Sequence, residues 1–214
     1  RPCSSSAVSD AVRTRFAPSP TGPLHLGHAY SAILAHDMAR AAGGSFALRI
    51  EDIDRTRARP EWETLIFEDL AWLGLDWDGP VRRQSEHLAA YGAALDRLWQ
   101  TGLLYPCHCN RRDIQAAASA PQEGADPVFG PDGLVYPGTC RPDRHPTPTP
   151  RAARPEGGAL RLDMARALDR IGQDPRLGFR ETGAGPGGET GRIALEPAEL
   201  IRGVGDIVLS RRDF

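Results

Sequence analysis

The sequence predicts an α/β domain built on a parallel sheet, and two observations carry that prediction. Residues 14–17 form a short strand ending at Pro18, and a helix over about 27–42 separates it from a second strand over 45–51. Between the first strand and the helix lies a proline- and glycine-rich turn, Pro18-Ser-Pro-Thr-Gly-Pro-Leu-His-Leu-Gly-His28. Strand, turn, helix and strand in that order make a βαβ unit, which feeds a parallel sheet and a Rossmann-like fold.

The helix is placed by Tyr30, Ile33, Leu34, Met38 and Ala41, apolar residues at helical spacing, and stopped by Gly43-Gly44. Two further amphipathic helices follow. One carries Trp62, Leu65, Ile66, Leu70 and Leu73, the other Leu88, Tyr91, Leu95, Leu98 and Trp99, and such stripes are core. The turn-rich link Leu73–Pro80 holds Trp77, read as a packing residue. After Gly102 the chain changes character: Cys107–Cys140 encloses small residues, proline and glycine, and cannot bury much area without a staple. Residues 145–158 are a proline-rich, solvated connection whose neighbouring arginines, Arg141, Arg144, Arg151 and Arg154, are within reach of RNA. Strands are expected over 159–164 and 205–209, returning to the first sheet, with a glycine-rich loop over 181–192 between them. Residues 1–12 read as a disordered tail, 13–106 as the first half of the main domain, 107–145 as an insert and 146–214 as the connection and return.

Composition sets limits. The 214 residues are 40% hydrophobic and 25% charged, enough for one sizeable domain with a small insert. A net charge of −2 gives no global basic field, so any nucleic acid must be held by local arginines; all 26 basic residues are arginine. No apolar run is long enough to span a membrane, and the N-terminal residues lack the apolar core of a secretory signal, so a cytoplasmic location is expected. Four cysteines in that setting suit metal ligands or free thiols rather than a disulfide framework, with Cys3 a bystander in the tail. No dimerisation element stands out, and a monomer is expected.

The turn is where chemistry is expected. A helix start presents unpaired N–H groups and the positive end of the helix dipole, a ready seat for a polyphosphate. His25 and His28 can donate to phosphate oxygens and stabilise charge growing on a departing pyrophosphate, while Gly27 lets a nucleotide approach bare backbone. The plainer alternative is that both histidines cap or pack the helix end. Arg15 can take a carboxylate in bidentate geometry, Ser19 can hydrogen-bond the same ligand, and Glu51, at the C-terminal end of the second strand, can hold an ammonium group. The alternatives are an ion pair of Arg15 with Asp52 or Asp54 and a solvated Glu51. Asp52, Asp54 and Arg55 read as a structural network below the pocket.

Arg13-Thr-Arg-Phe-Ala-Pro-Ser19, the turn to His28 and Leu48-Arg-Ile-Glu-Asp-Ile-Asp-Arg-Thr56 occur in family order and spacing, and together they resemble the class I aminoacyl-tRNA synthetases of the glutamyl type. The resemblance implies a class I catalytic domain that binds ATP, with Mg²⁺, through Pro18, His25, Gly27 and His28. It also implies contact with L-glutamate through Arg15, Phe16, Ala17, Pro18, Ser19 and Glu51. The second class I signature, a Lys-Met-Ser-Lys-Ser-like phosphate clamp, cannot occur in a chain without lysine. The sequence is therefore expected to be the N-terminal portion of a longer enzyme, with the second half of the catalytic domain missing.

Cys107-His-Cys109 followed by Tyr136-Pro-Gly-Thr-Cys140 supplies three thiols, in the manner of a tetrahedral zinc site that closes a loop. By residue type, His108 and His145 are ordinary candidates for a fourth ligand. The pattern Cys-x-Cys with Tyr-x-x-x-Cys resembles the zinc site of the short glutamyl-queuosine tRNA(Asp) synthetase paralogues, and this resemblance implies Tyr136 as fourth ligand. A closed ligand set makes the zinc structural. The expected activity is ATP-dependent formation of glutamyl-adenylate and transfer to the queuosine base at the wobble position of tRNA(Asp). An ordinary glutamyl-tRNA synthetase shares every adenylate-forming residue named. A non-catalytic zinc-bearing RNA-binding module and a small nucleotidyltransferase are further alternatives.

Overall fold

The computed structural model describes residues 12–119, 127–131, 133–142, 152–172, 174 and 177–211, and its chain divides into two compact units after Tyr91. This boundary lies ahead of the one expected near residue 106. The expected tail, residue 12 excepted, and His145 lie outside the described residues.

The first unit is the βαβ arrangement. Strand β1 (Arg13–Phe16) pairs in parallel with β2 (Ser45–Ile50), Arg15 opposite Ala47 and Phe16 opposite Leu48, across helix α1 (Leu26–Ala41). Helix α1 ends where the N–H groups of Gly43 and Gly44 return to the carbonyls of Arg40 and Ala39, and Gly43 takes φ +61°, a conformation that glycine adopts without strain. Helix α2 (Pro60–Trp72) starts on a proline, whose missing N–H would be unpaired there anyway, with Glu61 and Glu63 against the positive end of the helix dipole. The two-residue strand β3 (Arg82–Arg83) adds in parallel to β2, giving the order β1-β2-β3.

The core of this unit joins Phe16, Phe46, Leu48 and Ile50 from the sheet to Ile66 and Leu70 of α2 and Ala32 and Ala39 of α1. Trp77 packs its ring 5.8 Å from that of Phe67, as a core residue. The apolar residues whose spacing places α1 are not the ones it buries: Tyr30 is 69% and Met38 53% exposed, with Ile33 and Leu34 also outward. Alanine explains the difference, because its small side chain lets the helix lie close on the strands, and Ala32, Ala35 and Ala39 form the contacting face.

Helix α3 (Leu88–Gln100) carries the boundary between units, and only the later part of its apolar stripe is core: Trp99 is buried, whereas Leu88 and Tyr91 are exposed. In the second unit, β4 (Leu104–Cys107) precedes α4 (Arg111–Ser119) and the short pair β5 (Phe129–Gly130) and β6 (Gly133–Leu134). Strand β7 (Ala159–Leu162) leads into α5 (Met164–Ile171), whose first turn is capped by Asp163 accepting from the N–H of Arg166 at 3.0 Å. The glycine-rich stretch expected as loop contributes the ends of an antiparallel hairpin, β8 (Gly178–Glu181) and β9 (Gly191–Ala194), leaving 182–190 as its connection.

The last strand, β10 (Val208–Ser210), completes an antiparallel sheet of order β10-β7-β4. This corrects the expected return of β7 and β10 to the first sheet: among the described residues they ladder only with β4 and each other. Their central member, β7, places Leu160 against Trp99 and Leu104. A second cluster gathers Tyr105, Cys107 and Tyr136.

Candidate functional site

In a parallel ladder the C-terminal ends of neighbouring strands lie side by side, and open α/β sheets bind ligands there. Here the N–H of Glu51, just past β2, donates to the carbonyl of Pro18, just past β1, at 2.9 Å. Thr14 donates its hydroxyl to the α1 carbonyl of Ala35 at 2.6 Å, and Phe16 is core, so strand alternation turns Arg15 to the opposite face. Ala47, Arg49 and Glu51 project from that same face of β2. The glutamate-binding candidates therefore divide. Arg15 and Ser19 are exposed, Ala17 and Glu51 are half-buried, and Phe16 and Pro18 are buried, leaving the side chain of Phe16 in the core and only its backbone for a ligand.

Glu51 is not simply solvated, since its carboxylate is paired with the guanidinium of Arg49 two residues back on the strand. Nor does Arg15 pair with the aspartates below it. Asp52 accepts from the N–H and hydroxyl of Ser85, and Asp54 accepts from Thr56 and Arg57, with the Arg57 Nε at 2.6 Å. Asp52 thus ties the end of β2 to Ser85, 33 residues on, Asp54 sits in a local turn with Thr56 and Arg57, and among the described residues Arg55 joins neither.

The two histidines cap the helix, and that capping arranges their chemistry. His25 is the N-cap of α1, with its Nδ1 accepting from the N–H of Gly27 at 3.1 Å, while His28 Nδ1 accepts from the N–H of His25 at 3.2 Å. The rings stack with centroids 3.8 Å apart. Because each Nδ1 is an acceptor, each neutral ring carries its proton on Nε2, and that N–H is a donor left for a ligand. Burial, then the charge of His25, holds the His28 pKa below the ordinary histidine value, which favours this neutral form. Gly27 makes room for the His25 ring: a Cβ there would sit 3.0 Å from Cε1 of His25. A cleft of about 420 Å³ opens beside His25, walled by Leu24, Leu26, Asp69 and Trp72.

In the second unit, the Sγ atoms of Cys107, Cys109 and Cys140 all lie within 4.8 Å of one another. The Tyr136 Oη is 3.5 Å from Cys107 Sγ and 3.7 Å from Cys109 Sγ, and it accepts from the N–H of Cys140 at 2.7 Å. Burial pushes the Cys109 thiol up to about 11. At Cys140 burial acts the same way, but hydrogen bonds from the Tyr136 hydroxyl, the His108 backbone N–H and the other two thiols together outweigh it and bring the thiol down to about 7. His108 is exposed and outside the thiol group.

Sequence reasoning missed the arginines and the aspartate around this cluster. Asp206 is buried and accepts from the Tyr105 hydroxyl, from Arg141 Nε at 2.7 Å and from the N–H of Met164 at 2.9 Å. Arg154 pairs with Asp96 at 2.7 Å. Two of the four arginines considered for RNA therefore already have carboxylate partners, and Arg144 and Arg151 lie outside the described residues. Long sequence separation, 65 residues between Arg141 and Asp206, hides such pairs from local patterns.

Comparison with known proteins identifies the family. Residues 11–127 match the family described as tRNA synthetases class I (E and Q), catalytic domain. The chain belongs to this family of α/β enzymes. It is 59% identical over 94% of its length to the glutamyl-Q tRNA(Asp) synthetase of Rhodobacter capsulatus, of which it covers 67%, and 45% identical over 80% to that of Symbiobacterium thermophilum, of which it covers 52%. A crystal structure of a glutamate tRNA ligase from Elizabethkingia meningosepticum, in complex with its amino acid, superposes with TM-score 0.58 at 25% identity, covering 95% of this chain and 39% of that one. The chain thus spans between about half and two thirds of these curated relatives. Among the described residues no helix is long and apolar enough to cross a membrane.

Proposed function

We propose that the full-length protein activates L-glutamate with ATP to glutamyl-adenylate and transfers the glutamyl group to the queuosine base at the wobble position of tRNA(Asp), acting in the cytoplasm. The observation that carries the adenylation step is the paired capping of His25 and His28, which leaves two Nε2–H donors at a helix start beside the strand ends. An α-carboxylate oxygen of glutamate attacks the α-phosphate of ATP, the bond to the β-phosphate oxygen breaks, and pyrophosphate leaves with the electron pair. The two Nε2–H groups stabilise the charge gathering on that leaving group, and Mg²⁺ accompanies the nucleotide. Arg15 takes the side-chain carboxylate, Ser19 supports it, and the Glu51 carboxylate, oriented by Arg49, takes the ammonium group. Gly27, Ala17 and the backbone of Phe16 and Pro18 line the approach. The choice of tRNA(Asp) rests on the names of the relatives.

The cysteine cluster suits a zinc ion held by Cys107, Cys109, Cys140 and Tyr136, within an insert over 107–145. Three sulfur atoms and one phenol oxygen already converge, a donor set of the number and softness that zinc takes. A bound zinc would tie the loop between β4 and Cys140 and supply folding energy that the small Cys107–Cys140 segment lacks.

Likeness to a glutamate tRNA ligase structure favours a second reading, an ordinary glutamyl-tRNA synthetase. Glutamate-dependent exchange of pyrophosphate into ATP by the protein from the complete reading frame separates the two. Exchange without tRNA is the expected result. Exchange only after tRNA is added supports the second reading, and no exchange under either condition removes the adenylation proposal.

A further inference from the structure

We infer that Arg161 is a positioning residue for the three-thiol centre, holding Cys107 and the Tyr136 ring in place and cancelling the net charge of the loaded site. The inference rests on the metal reading above. Arg161 stands on β7, the middle strand of its sheet, opposite Tyr105 on one side and Val208 on the other, and is only 8% exposed. Its Nε donates to Cys107 Sγ at 3.3 Å, its Nη1 donates to the backbone carbonyl of Asp206 at 2.8 Å, and its guanidinium lies 3.7 Å from the centroid of the Tyr136 ring. One planar cation therefore touches two of the four candidate ligands.

The electrostatics point the same way. Among the described residues no carboxylate comes within ion-pair distance of Arg161, although every other strongly buried charge in this unit has a partner: Asp206 has Arg141 and Asp163 has Arg166. A buried cation is costly unless an anion or a full set of acceptors compensates it, and among the described residues Arg161 meets only a sulfur, a carbonyl and a ring face. A divalent ion with three thiolates and a neutral phenol carries one net negative charge, and a guanidinium hydrogen-bonded to one of those sulfurs neutralises it. Groups that hydrogen-bond metal ligands from outside set ligand orientation and affinity. The fork of Arg161 reaches the sulfur and the Asp206 carbonyl at once, which a lysine ammonium does not reproduce.

The test is Zn²⁺ affinity of the full-length protein by competition with a chromophoric chelator, with the sulfur-to-metal charge-transfer absorption of the Co²⁺-loaded protein as a second readout. Arg161→Met should weaken Zn²⁺ binding about 10- to 100-fold and change the Co²⁺ band, and Arg161→Lys, which keeps the charge but not the fork, should fall between it and the parent. Tyr105→Phe removes a hydrogen bond to Asp206 without touching sulfur, so it should lower thermal stability and leave affinity at the parent value. Should Arg161→Met fail to fold, Arg161→Lys carries the test with a loss of at least about threefold. Parent-like affinity in the Arg161 variants, or equal weakening by Tyr105→Phe, overturns the inference while leaving the metal reading intact. A parent protein that binds neither metal overturns the metal reading itself.

Discussion

His28 Nδ1 accepts the backbone N–H of His25 across the first turn of α1, at 3.2 Å, so protonating His28 would set two donors against each other. Burial of His28 and the charge of His25 already hold its pKa below the usual histidine value. The sign of the linkage follows. A histidine with a lowered folded pKa contributes stability that is fully present above its unfolded value, about 6.5, and is lost as the pH falls from there through the folded value. Ring-proton NMR titration should give His28 a midpoint below that of a histidine in an unfolded peptide, and His28→Ala should flatten the acid limb of the stability profile. A midpoint at or above the peptide value removes the capping argument.

Gly27 is required by the ring of His25. The Cβ of an alanine at this position would stand 3.0 Å from Cε1 and 3.2 Å from Nδ1 of His25, and the ring would swing out of its cap. Loss of the cap should cost about 1 kcal/mol of stability. Displacing one preorganised donor should also lower pyrophosphate exchange by the full-length protein about 10²-fold. Exchange at the parent rate in Gly27→Ala would show that His25 need not hold this pose.

Helix α1 presents its large apolar residues outward and its alanines inward. Ala39→Leu should therefore overpack the contact with β1 and β2 and destabilise this chain by about 1–3 kcal/mol. Leu34→Gln, on the outward face, should change its stability by no more than about 0.5 kcal/mol. Urea unfolding of both variants checks the pair, and the reverse order of effects would place the core on the other side of the helix.

These residues also mark what the sequence could reveal. The βαβ order, the helix stop at Gly43 and the strand ends near Pro18 and Glu51 were legible because each depends on local chemistry: a proline, a positive-φ glycine, an apolar run. The buried face of α1 was not, because hydrophobic size and burial diverge where alanine lets a helix approach a sheet. At the candidate site, residue type pointed to the histidines and the cysteines. Their mutual Nδ1 acceptance, the Arg49–Glu51 pairing and the arginines around the thiols depend on rotamers and on contacts between distant strands. The sheet that β7 and β10 join is a matter of long-range pairing as well, which short apolar strands leave unspecified.

Asp206 is the point where the second unit is held together, and its replacement should be felt at a distance. Its carboxylate accepts from Tyr105 on β4, from Arg141 beside Cys140 and from the first N–H of α5, while its carbonyl accepts from Arg161 on β7. Burial first, and Asp206 second, push the Tyr105 hydroxyl above its usual pKa, so it remains a donor throughout the working range. Asp206→Asn removes the charge but not the shape, leaving Arg141 without its carboxylate and one of the amide N–H groups facing donors. The ion pair is partly open on the Arg141 side, which screens it, so a loss of about 2 kcal/mol is expected rather than the larger cost of a fully buried pair. Hydrogen exchange should then speed up together at β4 and at the start of α5, because the one carboxylate serves both. Faster exchange confined to α5 would mean that Asp206 acts only as a local cap for Met164.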